Sequence, residues 1–326
     1  MNASATRISI IIPAFNEAQD LPGLLDSLAA IRNDDAFEVI VVDNGSTDCT
    51  ANIARDRGAN VVSIKRSPVG SGRNAGAKAA RGELLAFLDA DVIATPQWLA
   101  ETRAIAERDR EATITGDIYD IVEHPSWIER HWFGASYLRG ARTYLNGGNL
   151  LISRADFAKV GGFNEQMISG EDVEFCERAA AAAIPIRPNR TLRVLHKGYP
   201  STARRFIKRE AWHGRSDFRS MRSFLASPVA ISAAVFAAFH VVLITALIAR
   251  IWWLAAGALT AITLLCLASA FWKWSCVAWK SRVVNAGVFY LYFTGRALAG
   301  GHELVDSVIG SRAELFFSAG SLLFLG

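Results

Sequence analysis

The chain opens on a β-branched run, Ile8 to Ile12, that Pro13 stops, and from there apolar and polar positions alternate in blocks. Short apolar runs bounded by turn residues read as buried strands; four such runs are Ile8 to Ile12, Glu38 to Val42, Ala59 to Ile64 and Leu84 to Leu88. Between them the spacing becomes helical. Leu21, Leu24, Leu25 and Leu28 mark a helix over residues 17–31, and Ser46, Thr47 or Asp48 can cap a second that runs to Arg57. The segment SGRNAGAKAARG supplies a loop and a short third helix. Strands that alternate with helices predict an α/β fold with a doubly wound, parallel sheet covered on both faces.

The pattern then becomes less regular. Thr95-Pro96 opens a helix to about Arg108, residues 112–122 read as a strand, and 125–142 form an aromatic-rich amphipathic segment with Trp127, Trp132, Phe133 and Tyr137. NGGNLLISR at 146–154 reads as a glycine turn into an edge or mixed strand, and 169–182 as a helix with acids at its start. Thr191 to Leu195 gives a last strand that ends at His196.

Past Arg222 the polar blocks disappear. Residues 224–249 and 251–272 are two uncharged stretches separated by Arg250, each about long enough to cross the hydrocarbon core of a bilayer. Seven basic residues and two acids lie between Arg204 and Arg222, and Lys273, Lys280 and Arg282 follow the second stretch, so the positive-inside rule puts both flanks in the cytoplasm. Residues 283–299 read as a third crossing or a re-entrant helix, because Asn285 and Arg296 interrupt them. The expected organisation is a cytoplasmic domain over 1–222 and a membrane domain over 223–326. A net charge of +4 and a pI near 9.0 add little to this picture. Four cysteines without CxxC spacing argue against a zinc site or disulfide framework, and the amino terminus lacks the apolar core of a signal peptide. These features predict a multi-pass inner-membrane protein in contact with membrane lipids, with nucleic acid not among its partners.

In open α/β sheets, ligands bind outside the carboxyl ends of the strands, and three polar motifs fall there: AFNE at 14–17, DNGSTD at 43–48 and DAD at 89–91. Asp89 and Asp91 follow an apolar strand one residue apart, so their side chains can converge on one point. A divalent cation, Mg²⁺ or Mn²⁺, that carries a diphosphate would offset their repulsion, since these hard ions take few protein oxygens and complete their shell with phosphate and water. Each motif alone also has a structural reading: Asp43 can cap a helix, and Glu17 can be a first-turn charge.

SIIIPAFNE, EVIVVDNGSTD, GRNAGAKAARGELLAFLDAD, NGGNLLISR with GGFNE, and GEDVEF, in this order and spacing, resemble glycosyltransferase family 2 over roughly residues 7–200. The resemblance implies a GT-A type, Rossmann-like mixed and mostly parallel sheet with helices on both faces, and an inverting transfer from a nucleotide-diphosphate sugar. Carried over position by position, it puts Pro13, Glu17, Asp43 and Asn44 in the nucleoside pocket, Asn44 standing where many relatives have a second aspartate. Arg73, Asn74, Asp89 and Ala90 contact the diphosphate or donor sugar, and Gly147 and Gly148 let the backbone approach the sugar. Asp91, with Asp89 and His196, takes the metal role, although a lone histidine is more often structural. Asp172 becomes the general base that takes the acceptor's proton, with Glu171 orienting the site; the competing reading makes both acids amino-terminal helix charges.

The processive-synthase signature of Gln, two residues, Arg and Trp is absent after His196, where RRFIKREAWHGRS stands instead. Addition of one sugar is therefore expected, to a hydroxyl of a lipid-linked saccharide in envelope or exopolysaccharide assembly. Trp212, His213 and Arg215 either line the acceptor or belong to an interfacial amphipathic helix. Two rivals stand beside this reading. Transfer to a polyprenyl phosphate would need no base, and a non-catalytic membrane scaffold would be expected to lose acids at 89, 91 or 172.

Overall fold

The computed structural model describes residues 8–31, 37–108, 113–134, 144–218 and 220–320. The chain separates into two compact units, one of Met1–His124 with Arg139–Tyr199, the other of Pro125–Leu138 with Pro200–Gly326.

The first unit is built on seven strands in the order β3-β2-β1-β4-β7-β6-β8. These are β1 (Ile8–Ala14), β2 (Phe37–Asp43), β3 (Asn60–Ser63), β4 (Leu84–Leu88), β6 (Ile114–Gly116), β7 (Asn149–Ser153) and β8 (Ile186–Pro188). The helices of this half are α1 (Leu21–Ala30), α2 (Thr50–Asp56), α3 (Val69–Ala79) and α4 (Pro96–Glu107). β1 pairs in parallel with β2 and β4, and β2 with β3, as the alternating pattern predicts. β1 is buried at every position, so no solvent face interrupts its apolar run. One set of side chains, among them Ile10, Ile12, Leu24, Leu88 and Trp98, packs into one core. Ile11, Val42, Phe87, Phe157 and Phe175 pack into another.

β7 lies inside the sheet, antiparallel to both β4 and β6, so of the two readings, edge or mixed strand, it takes the second and makes the sheet mixed. The rest of the less regular half departs from expectation in two places. Of residues 112–122 only Ile114–Gly116 form a strand, and further on Asp120 makes a single bridge to Leu195. The last strand is β9 (Val194–His196), which pairs antiparallel with β5 (Val92–Ala94) in a separate two-stranded sheet. Helices α5 (Arg154–Val160) and α6 (Glu171–Ala181) complete the unit.

In the second unit, Glu129–Gly134 form a π-helical turn; Tyr137 and the end of the expected 125–142 segment lie outside the described residues. There follow α7 (Ala203–Gly214), α8 (Met221–Ala226), α9 (Pro228–Ile248), α10 (Trp252–Lys273) and α11 (Trp279–Gly320). α9 starts at Pro228, with Ser227 Oγ accepting from the Ala230 N–H at 3.2 Å, so the first apolar stretch divides into a short helix and a long one. Among the described residues, α9 and α10 are the two helices long and apolar enough to cross a membrane, with mean hydropathies of 2.4 and 2.1. Residues 283–299 belong to α11, which does not meet that measure. The tail beyond residue 320 lies outside the described residues.

Candidate active site

The loops after β1 and β2 form one hydrogen-bonded platform. The Glu17 N–H donates to Thr50 Oγ1 at 2.8 Å, the Thr47 N–H to Asn16 Oδ1 at 2.8 Å, and the Ala18 N–H to Asp48 Oδ2 at 3.2 Å. Asn16 adopts a positive φ of 56°, a conformation that asparagine tolerates better than most residues. Neither Ser46, Thr47 nor Asp48 caps α2 in the expected way, because Cys49 occupies the N-cap position without a side-chain bond. Glu17 is not in a first helical turn either: α1 starts at Leu21, and Glu17 sits in the turn before it.

A cleft of 320 Å³ lies between this platform and the end of β4, lined by Pro13, Glu17, Asn44, Asp89, Ala90 and Asp91 together with Phe15 and Arg66. The Arg66 guanidinium sits 3.7 Å over the Phe15 ring. Asp43 is not part of the lining; it is buried, and its Oδ1 accepts from the Ser46 N–H at 3.1 Å. The Asn44 amide is turned to the chain, donating to the Ser67 carbonyl at 2.8 Å and accepting from the Ser67 N–H at 3.0 Å. It holds the β3–α3 connection beside the cleft.

Burial, with the Asp20 and Asp89 carboxylates, pushes Glu17 up to about 7. Burial, followed by the Asp89 and Glu17 carboxylates, pushes Asp91 up to about 8. Proton retention is the alternative to an unneutralised cluster of charge. Asp91 Oδ2 lies 3.4 Å from His196 Nε2 across the β5–β9 ladder. Gly198 permits this approach, since a Cβ there would overlap the Asp91 carboxylate. The His196 ring packs against two tyrosines, 4.6 Å from the centroid of Tyr119 and 4.2 Å from that of Tyr199.

Asp89 is held from two sides. Tyr119 donates its hydroxyl to Oδ2 in a short hydrogen bond, and Arg73 Nη2 donates to Oδ1 at 2.9 Å. Burial and the Asp89 carboxylate raise the Tyr119 phenol well above its ordinary range, so it remains a donor. Arg73, one turn into α3 and 4% exposed, also donates through Nη1 to Glu171 Oε1 at 2.6 Å. Both ends of its fork are therefore engaged by protein carboxylates. Gly147 and Gly148 leave room for these side chains: a Cβ on Gly147 would lie 2.8 Å from the Arg73 guanidinium, and one on Gly148 would overlap Asp89 and Tyr119. Asn74 points away from the cleft, donating to the Phe163 carbonyl and to Glu165 Oε1, each at 2.9 Å, and accepting from the Phe163 N–H at 2.9 Å.

Asp172 is the second residue of α6, next to Glu171. Its Oδ2 accepts from the Gly147 N–H at 3.3 Å and its Oδ1 from the Val173 N–H at 2.9 Å. Burial and the Glu171 carboxylate nevertheless hold it above the usual carboxylate range. Sequence reasoning missed Asn16, Phe15, Tyr119, Tyr199 and Gly198. The one local signal for any of them was the adjacency of Phe15 and Asn16 to Glu17.

Residues 9–164 match the family model described as glycosyl transferase family 2, and residues 135–197 match one described as the N-terminal domain of galactosyltransferase. The chain is 26% identical over 194 residues to the glycosyltransferase AglE of Haloferax volcanii, with 56% of this chain and 64% of that protein covered. It is 29% identical over 225 residues to the pre-mycofactocin glycosyltransferase of Mycobacterium tuberculosis, with 64% and 46% covered. The chain thus spans about half to two thirds of the length of these relatives. Among solved structures it superimposes on the mannosyltransferase PcManGT from Pyrobaculum calidifontis, in complex with GDP-Man and Mn²⁺, with a TM-score of 0.50 and 18% identity over 93% of this chain and 86% of that one. At that identity the likeness speaks to the fold, which is of the GT-A type. Residues 9–164 thus form a glycosyltransferase family 2 domain.

Proposed function

We propose that this chain is an inverting glycosyltransferase that moves one sugar from a nucleotide-diphosphate sugar to a hydroxyl of a lipid-linked saccharide, at the cytoplasmic face of the inner membrane. The observation that carries the reading is the separation of two acid groups on either side of Arg73. Glu17, Asp89 and Asp91 border the cleft where a nucleotide would lie, and Asp172 stands beyond Gly147. Arg73 joins Asp89 to Glu171, the neighbour of Asp172.

The residues present fit a divalent cation. Among the described residues no group of three or more His, Cys, Asp or Glu side chains is placed to hold a metal ion, so a cation here would rest on Asp91 and His196 and take the rest of its shell from phosphate and water. Burial first, and then the Asp89 and Glu17 carboxylates, raise Asp91 to about 8, and a cation would relieve the repulsion among the three acids. The Asp91 carboxylate, with His196 beside it, would hold Mg²⁺ or Mn²⁺, and PcManGT is described with Mn²⁺ and GDP-Man. Bound there, the ion would supply positive charge to the departing diphosphate.

The chain's own residues account for the rest. The cleft binds the nucleoside against Pro13, Phe15 and Arg66. Arg73 and Tyr119 fix the Asp89 carboxylate for the ribose or donor sugar, and Asn44 and Asn74 hold the walls. Asp172 accepts the acceptor's proton at a carboxylate oxygen, a task that its raised pKa suits. α9 and α10 form a hairpin that anchors the site at a bilayer, which accords with a lipid-borne acceptor in envelope or exopolysaccharide assembly.

Membranes that contain the full chain, incubated with a panel of radiolabelled nucleotide-sugars, should yield one labelled lipid whose new linkage is to a saccharide hydroxyl. Label on a polyprenyl phosphate would replace the acceptor assignment, and absence of transfer from every donor would overturn the enzymatic reading.

A further inference from the structure

The basic stretch before α9 is sorted by face in a way its composition does not reveal. Its two acids, Glu210 and Asp217, both meet Arg296 of α11. Glu210, 1% exposed, accepts from Arg296 Nη2 at 3.1 Å and from Arg209 Nη1 at 2.7 Å. Asp217 Oδ2 accepts from Arg296 Nη1 at 3.1 Å. The inward face of α7 is thereby neutralised against α11, with Phe206 fully buried beside it and 5.5 Å from the Trp132 ring.

Among the described residues of this stretch, no acid remains on the outward face. Arg204, Arg205 and Lys208 of α7 are exposed, as is Arg215 just after it. Positions 204, 208 and 212 succeed one another at helical spacing, and Trp212 stands 42% exposed among the cations. The surface continues through exposed Arg222, with Met221 71% and Leu225 64% exposed beside it, to the first residue of α9. Lys280 is exposed at the start of α11, shortly beyond the end of α10. At the other end of the α9–α10 hairpin Arg250 is the one charged residue.

A stripe of unopposed cations alone is usually a solvated face. Here an exposed tryptophan and two exposed apolar side chains accompany it, directly before a helix of membrane-spanning length. Tryptophan favours the headgroup level, and juxtamembrane bases attract anionic lipid. We propose that the outward face of α7, with Arg204, Arg205, Lys208, Arg215 and Trp212, docks on anionic phospholipid headgroups of the bilayer that α9 and α10 cross. The inference rests on the membrane reading above and adds to it a preference for one class of headgroup.

The test uses the full chain, purified in mild detergent and incubated with equal amounts of phosphatidylglycerol and phosphatidylcholine, with retained lipids counted by native mass spectrometry. Phosphatidylglycerol should be retained several-fold over phosphatidylcholine, and the preference should shrink in high salt. It should largely disappear in the double variant Arg204→Gln, Lys208→Gln, and persist in the charge-matched control Lys78→Gln, Lys159→Gln, whose positions are exposed in the first unit. Matching elution volumes and melting temperatures would establish that the variants fold.

Equal retention of both lipids by the unaltered chain, a preference that survives the double substitution, or complete displacement by inorganic phosphate would each overturn the proposal. Cell fractionation separates this failure from failure of the membrane reading. Recovery of the unaltered chain in the soluble fraction would refute the anchor itself, whereas a membrane-bound chain without headgroup preference would refute only the docking face.

Discussion

Arg73 donates to Glu171 at 2.6 Å across 98 residues of chain, and its other terminal nitrogen reaches Asp89 at 2.9 Å. The guanidinium is 4% exposed and Glu171 7%, so the pair is removed from solvent screening. One cation thus ties the helix before β4, the acids after it, and the start of α6.

Replacing Arg73 with Met should leave Glu171 buried and unpaired, a change that costs about 3–5 kcal/mol in other proteins. Thermal and denaturant unfolding of the full chain in detergent should register that loss, and donor binding should fall with it. Unchanged stability together with unchanged donor binding would mean that the bridge is incidental.

Asp172→Asn should lower transfer by about 10²–10⁴-fold, the range associated with a positioned general base. The amide keeps the size of the side chain and one acceptor oxygen, so one of the two N–H bonds, from Gly147 or from Val173, is kept and the other is lost. Nucleotide binding measured by calorimetry should therefore stay close to that of the unaltered chain. Ordinary turnover in this variant would remove Asp172 from the role.

Asp91 gives the site a pH signature. Its carboxyl is raised from 3.8 to about 8, so folding favours its protonated form. A raised folded-state pKa means that stability is fully present below the unfolded value and is lost as pH rises through the folded one. In the presence of a chelator the melting temperature should fall between about pH 4 and pH 8, and Asp91→Asn should flatten most of that slope. Mn²⁺ should restore stability at the upper end and bind more weakly as pH drops below about 8, because a proton competes for the same oxygen. A flat profile in chelator, or Mn²⁺ affinity independent of pH, would contradict the assignment.

Tyr119→Phe keeps the ring that packs at a tilt against His196 and deletes the hydroxyl bonded to Asp89. A hydrogen bond to a charged group contributes about 1.5–3 kcal/mol. Affinity for the donor in the presence of Mn²⁺ should fall about tenfold to a hundredfold while His196 stays in place. Tyr119→Ala, which also removes the ring packed against His196, should weaken Mn²⁺ binding further; equal behaviour of the two variants would separate the ring from the site.

Much of this protein is determined by local sequence. The β-branched and apolar runs specify β1, β2 and β4, the helical spacing of leucines specifies α1, and uncharged length specifies α9 and α10. Because strand periodicity places residues i and i+2 on one side, the acids of DAD after β4 read from the sequence as a pair able to converge. What tertiary structure alone decided is how each polar group spends its hydrogen bonds. Asn44 and Asn74, legible as ligand contacts, are committed to Ser67 and Phe163. Arg73 is committed to two carboxylates, and the space beside Gly147 and Gly148 is filled by Arg73, Asp89 and Tyr119. Tyr119 reaches Asp89 from 30 residues away, and Arg296 draws Glu210 and Asp217 inward from 86 and 79 residues away. Such pairings depend on which elements the sheet and the helical unit bring side by side, and neither periodicity nor motif spacing encodes that distance.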